Sequence, residues 1–135
     1  MSKIVADTSV IINGDIVKEI ESGALENSEI IIPVAVLDEL QSQASKKREE
    51  GFVGLEELKK LHAISQKHGI TVSFKGQRPN IDDITLSERG RIDALIKDVA
   101  KQNSAILYTC DSVLALVAQA EGLDVEYLKP QFKEE

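Results

Sequence analysis

The chain has little cysteine, little proline, no excess of positive charge and no long apolar run. A single Cys in 135 residues excludes a disulfide framework and a cysteine-based zinc site. With 16 basic against 23 acidic side chains and a formal charge of −7, a basic nucleic-acid grip of the histone or ribosomal kind is excluded. The longest apolar stretches, such as Ile30-Ile31-Ile32, are far too short to span a bilayer. Asp7 interrupts the N-terminus before a basic-then-apolar secretion layout can form, so the expectation is a soluble, cytoplasmic protein without membrane partners. Gly51-Phe52-Val53-Gly54 lacks the Lys and the spacing of a phosphate loop. No Ser–His nucleophilic pair is evident, and His62 and His68 have no supporting motif. The apolar share is 42%, or about 48% once glycine is added, the globular range. The length suits one domain.

Strand-like and helix-like segments alternate along the chain. Lys3 to Ala6 is β-compatible and runs into Asp7-Thr8-Ser9, a turn or helix-start signal. Ile16, Val17 and Ile20 recur at helical spacing and stop near Gly23. Glu29 to Ile32 is a β-branched run closed by Pro33, which suits the first position of a helix. A helical pattern then extends from Val34 to about Glu50, with Gly51 and Gly54 as punctuation. Leu55, Leu58 and Leu61 form a second stripe ending at the C-cap signal His68-Gly69. Ile70 to Phe74 alternates as an edge strand does. Residues 75–90 are irregular, and Ile92, Leu95, Ile96 and Val99 mark an amphipathic helix over Arg91–Gln102. Ala105 to Thr109 reads as a buried strand, Asp111 as the cap of a helix from Ser112 to Ala120, and Val125 to Leu128 as a last strand. Residues 1–130 form the expected domain, and 131–135 a tail or the start of a linker.

Five strands alternating with helices imply a parallel sheet with helices on both faces, because parallel neighbours need crossover helices. Ligands of such sheets bind at the carboxyl ends of the strands. Two strands end there in an acid, Asp7 and Asp111. Helix capping alone accounts for one such Asp; two on neighbouring strands repel unless a cation lies between them. Asp93 falls in the first turn of its helix, where the dipole also favours an acid. On a wheel of 100° per residue, Glu39 lies about 120° from the centre of its helix's apolar stripe and Asp38 about 140°, so periodicity separates them only slightly. Four carboxylates at one edge suit a hard divalent cation such as Mg²⁺, and paired ions of this kind support phosphodiester cleavage.

The order of these motifs resembles the PIN domain, a compact metal-dependent nuclease fold, from Ile4 to Leu128. The resemblance implies a three-layer α/β/α fold with a five-stranded parallel sheet. It implies four site acids: Asp7 of Val5-Ala6-Asp7-Thr8-Ser9, Glu39 of Leu37-Asp38-Glu39-Leu40, Asp93 of Arg91-Ile92-Asp93-Ala94 and Asp111 of Thr109-Cys110-Asp111. It thereby selects Glu39 over Asp38. Ser9 and Thr109 match small hydroxyl residues that support the site. One or two Mg²⁺ or Mn²⁺ ions are implied, with Glu39 as a further ligand or as the acceptor that orders the attacking water, and products bearing a 5′-phosphate and a 3′-hydroxyl. A narrower resemblance, carried by residues 7–15 and 51–58, is to the N-terminal PIN domain of archaeal PilT-like ATPases. It implies a nuclease module of a larger, oligomeric ATPase.

The implied substrate is single-stranded or flapped nucleic acid, RNA favoured and DNA open. Local positive charge must grip it: Lys46-Lys47-Arg48 and Arg89 with Arg91, followed by Lys75 and Arg78. The first cluster also suits a helix C-terminus. Asp82 and Asp83 read as loop or capping residues, and Cys110 as a small buried residue. The rival readings are a noncatalytic PIN scaffold or nucleic-acid-binding module, a toxin-type ribonuclease held by an antitoxin, and a phospho-acceptor receiver domain. A receiver expects adjacent acids after its first strand, where this chain has Val5-Ala6, and Lys129 matches its later Lys only loosely. Setting the four site acids aside reduces the charge from −7 to −3, so nucleic-acid binding is expected to depend on the divalent ion.

Overall fold

The structure is a computed structural model describing residues 2–79 and 89–130. The side chain of Arg89, the acids Asp82 and Asp83, and residues 131–135 lie outside the described residues. Five strands, β1 Lys3–Ala6, β2 Glu29–Pro33, β3 Thr71–Lys75, β4 Ile106–Thr109 and β5 Val125–Tyr127, form one parallel sheet in the order β3-β2-β1-β4-β5. The three inner strands are aliphatic: Ile4, Val5, Ile30, Ile31, Ile32 and Leu107 are essentially inaccessible. Burial on both faces is what continuous apolar runs of this kind require. The alternating strand β3 occupies an edge, as its half-exposed pattern implies.

Among the described residues, six α-helices connect the strands: α1 Thr8–Ile12, α2 Asp15–Glu21, α3 Val34–Ser45, α4 Glu49–Ser65, α5 Arg89–Asn103 and α6 Ser112–Ala120. Helices α1–α4 pack against one another, while α5 lies against β1, β2 and β4 and α6 against β4 and β5. The chain passes outward from β1 through β2 to β3, then returns to the far side of β1 for β4 and β5. The strand order therefore reverses between β1 and β4. A crevice opens at such a switch point, beyond the carboxyl ends of the strands.

Several boundaries differ from the sequence expectation, each for a physical reason. The Asp7-Thr8-Ser9 signal opens a short helix of its own, which Gly14, at φ 83°, separates from the next. Pro33 ends β2 in extended geometry (ψ 138°) and precedes the helix rather than opening it. The helix from Val34 stops at Ser45, and Lys47 reverses the chain at φ 65°. Gly51 and Gly54 do not punctuate; both lie inside α4, where they allow it to cross α3 closely. A Cβ on Gly51 would lie 2.7 Å from the Leu40 carbonyl oxygen and would also meet the Ala44 amide. The third amphipathic helix begins at Arg89, so Asp93 stands in its second turn rather than its first.

On β2, the Glu29 carboxylate accepts a hydrogen bond from the Ser73 hydroxyl at 2.8 Å and pairs with Lys75 at 3.3 Å. The hydroxyl first, then the lysine, hold its pKa below the usual carboxylate range. A lowered folded pKa stabilises the fold at pH values above the unfolded-state pKa, and that contribution disappears as pH falls through the folded value. Glu29→Gln should therefore cost about 1 kcal/mol near neutrality. Urea titrations at pH 7 and pH 3 should show the difference from the parent chain at the first and not at the second.

Candidate functional site

Asp7 leaves β1 at the switch point and is 2% exposed. The register aligns Ala6 with Tyr108, so Asp7 comes beside Thr109 at the end of β4. Its Oδ1 accepts the Thr8 amide at 2.7 Å, which caps α1. Its Oδ2 accepts the hydroxyls of Ser9 and Thr109, each at 2.7 Å. Those hydroxyls in turn accept the amides of Cys110 and Asp111, both at 2.9 Å. A buried carboxylate is costly unless hydrogen-bonded, and here three donors meet it.

Thr8 makes a link that sequence reasoning missed. Its hydroxyl donates to Glu39 Oε1 at 2.8 Å, tying the residue after Asp7 to the middle of α3. Asp38, one position earlier, instead pairs with Arg78 at 2.6 Å. The only signal for Thr8 was its place in the hydroxyl-bearing run after β1. Asp111 Oδ1 accepts the amides of Val113 and Leu114 at 3.0 and 3.2 Å, so capping is part of its role. Asp93 is partly buried on α5, which packs across β1, β2 and β4 and touches α3. Because α5 runs back to the start of β4, where the Ala105 amide meets the Ala100 carbonyl, its first turns with Arg91 and Asp93 lie toward the carboxyl edge.

Asp7 thus communicates with Asp111 through Thr109 and with Glu39 through the Thr8 backbone and hydroxyl. The carboxylate and hydroxyl oxygens are the donors that a hard divalent ion takes, and in donor chemistry the set fits Mg²⁺ or Mn²⁺. Among the described residues, however, no three His, Cys, Asp or Glu side chains stand together as a ready metal cluster. Asp7, Glu39 and Asp111 accept from hydroxyls and amides.

Thr109 is fully buried and serves two partners at once. Thr109→Val should cost about 1–3 kcal/mol, since it strands the Asp111 amide and removes a donor from Asp7. Thr109→Ser should recover most of the loss, and chemical denaturation of the two variants checks both statements.

A cavity of about 390 Å³ adjoins this centre, and Thr8, Ser9, Cys110 and Arg48 contribute to its wall. Of the basic residues singled out in the sequence, Arg48 is the one placed there. Lys46 and Lys47 are exposed beyond the end of α3, and Arg91 is exposed on α5. Lys75 and Arg78 are engaged with Glu29 and Asp38. Burial first, and then the hydrogen bond to Asp15, push the Cys110 thiol up to about 12, so it is not a nucleophile at neutral pH. His62 is exposed on α4, away from these contacts. Among the described residues, no helix is long and apolar enough to cross a membrane.

Comparison with known proteins accords with this geometry. The chain is 42% identical over 127 residues to an uncharacterized KH and PIN-domain containing protein of Methanocaldococcus jannaschii. The match covers 94% of this chain and 20% of that protein, so the chain spans about a fifth of its relative's length. A solved domain of a functionally unknown protein from the same organism superposes with a TM-score of 0.91 at 41% identity, covering 100% of this chain and 96% of that one. A family model described as the PIN domain matches residues 4–120. The chain therefore belongs to the PIN domain family, whose members are in general nuclease modules.

Proposed function

We propose that this chain is a divalent-metal-dependent nuclease acting on single-stranded nucleic acid, RNA in preference to DNA. The observation that carries the reading is the buried carboxylate of Asp7 at the switch point, linked through Thr109 and Thr8 to Asp111 and Glu39. The preference for single strands draws on the relative described as containing KH as well as PIN domains, since KH modules clamp single-stranded nucleotides. Asp7, Asp93 and Asp111 are the proposed holders of Mg²⁺ or Mn²⁺. Such ions lower the pKa of water and offset phosphate charge.

Each protein group has a task of its own. Ser9 and Thr109 fix the Asp7 carboxylate so that it need not reorganise during reaction. Thr8 orients Glu39, whose carboxylate accepts a hydrogen bond from the attacking water. Water oxygen bonds to phosphorus as the P–O3′ bond breaks, giving up a proton to Glu39, and the 3′ oxygen takes up a proton, leaving a 5′-phosphate and a 3′-hydroxyl. Arg48, at the edge of the neighbouring cavity, neutralises a flanking phosphate.

The test combines binding with turnover. Mn²⁺ titrated into the native chain should raise its melting temperature, and the rise should vanish in Asp7→Asn. Labelled single-stranded RNA should be cut by the native chain with Mn²⁺ and not with chelator. An unchanged melting temperature together with intact RNA would remove the nuclease reading and leave the scaffold.

A further inference from the structure

Beside the acids, the open cavity of about 390 Å³ is within the size range of small-ligand pockets. It is not a continuation of the acidic centre. Its wall holds Ile12 from α1, Gln43 from α3, and Arg48 and Glu50 from the turn and first residues of α4. Thr8 and Ser9 stand between it and Asp7 and Glu39. A ligand in the cavity is therefore one hydroxyl away from the carboxylates.

Gln43 is the anomaly in this wall. Its Oε1 is buried and has no hydrogen-bond partner, the one such side-chain atom among the described residues. A buried carbonyl oxygen without a donor is costly, and one that persists calls for an explanation. A side-chain amide offers an acceptor beside a donor, the pattern that pairs bidentately with the N6 and N7 edge of adenine. Ile12 supplies an apolar surface for the face of a base, and exposed Arg48 supplies the charge for its phosphate.

We propose that this cavity is a nucleotide subsite in which Gln43 reads an adenine next to the scissile phosphate. The inference deepens the nuclease reading and rests on it for the direction of the strand, but not for the binding itself. Gln43 is a specificity residue that touches the base of the substrate. Oε1 is buried in the unliganded chain, so the side-chain amide would have to turn toward the cavity for it to accept from the base N6 amine.

Mononucleotide binding tests this without requiring cleavage. Titrated into the native chain, adenosine 5′-monophosphate should shift the NMR signals of the Gln43 side-chain amide and of Arg48. It should bind about tenfold more tightly than uridine 5′-monophosphate, the scale of one bidentate base contact. Gln43→Leu should remove that discrimination. Gln43→Glu, which keeps the shape and loses the donor, should remove it as well. Equal affinity for the two nucleotides in the native chain, or discrimination that survives in both variants, would overturn the proposal. Cleavage of RNA mapped in parallel separates the two readings: cutting without adenosine monophosphate binding removes the subsite alone, and binding without cutting removes the nuclease alone.

Discussion

Asp7→Asn is expected to lower single-stranded RNA cleavage by about a hundredfold or more while the chain stays folded. Loss of one outer partner at a metal centre already costs about 10–100-fold, and Asp7 is proposed to hold the ion directly. The fold survives because the Asn carbonyl can still accept the Thr8 amide that caps α1. The hydroxyls of Ser9 and Thr109, which now donate to Oδ2, can turn to accept from the new amide nitrogen. The stability loss should be modest, about 1–2 kcal/mol. Far-ultraviolet circular dichroism and a thermal melt check the fold, and time courses on labelled RNA with Mn²⁺ check the activity. Equal rates for both proteins would identify a contaminant and defeat the assignment of Asp7.

The second large effect concerns packing. Gly51→Ala should destabilise the chain by about 2 kcal/mol, although alanine favours a helix interior over glycine by about 1 kcal/mol. The added Cβ meets backbone atoms of Leu40 and Ala44, which cannot rotate away, so α3 and α4 must separate. Overpacking of this kind costs about 1–3 kcal/mol. The melting temperature should fall by about 5–8 °C for a domain of this size. Gly54→Ala is the informative contrast. Its Cβ meets the side chain of Leu40, which can take another rotamer, so its loss should be smaller. A rise in melting temperature for Gly51→Ala would show that helix propensity outweighs the close approach. The same separation would move Gln43 and Arg48, on either side of the α3–α4 turn, and so alter the cavity.

Local chemistry explains why so much of the fold was readable. Period-two and period-3.6 apolar patterns locate strands and helices without knowledge of their partners. The Asp111 cap and the Gly69 turn at φ 68° are set by their own residues. Short strands alternating with helices leave few alternatives to a parallel sheet, and the carboxyl edge then follows as the place to search. That edge carries Asp7 and Asp111 as a pair of strand-end acids.

Other features depended on residues distant in sequence. Helical periodicity scarcely separates Asp38 from Glu39; the fold separates them by giving Arg78 to the first and the Thr8 hydroxyl to the second. Gly51 and Gly54 look like breaks until α3 lies against α4, because a glycine that ends a helix and one that admits a neighbour are locally alike. Lys46, Lys47 and Arg48 form a single charged run in sequence, yet only Arg48 reaches the cavity wall. The unpartnered Gln43 oxygen has no signature in sequence at all. The sequence by itself determined which segments form strands and helices, their parallel arrangement and the two acids at its edge, since propensity, periodicity and capping act within a few residues. Only the tertiary structure decided how the Thr8 and Thr109 hydroxyls meet Glu39 and Asp7 and where a cavity opens, because those two contacts span 31 and 102 positions and exist only when the sheet has brought them together.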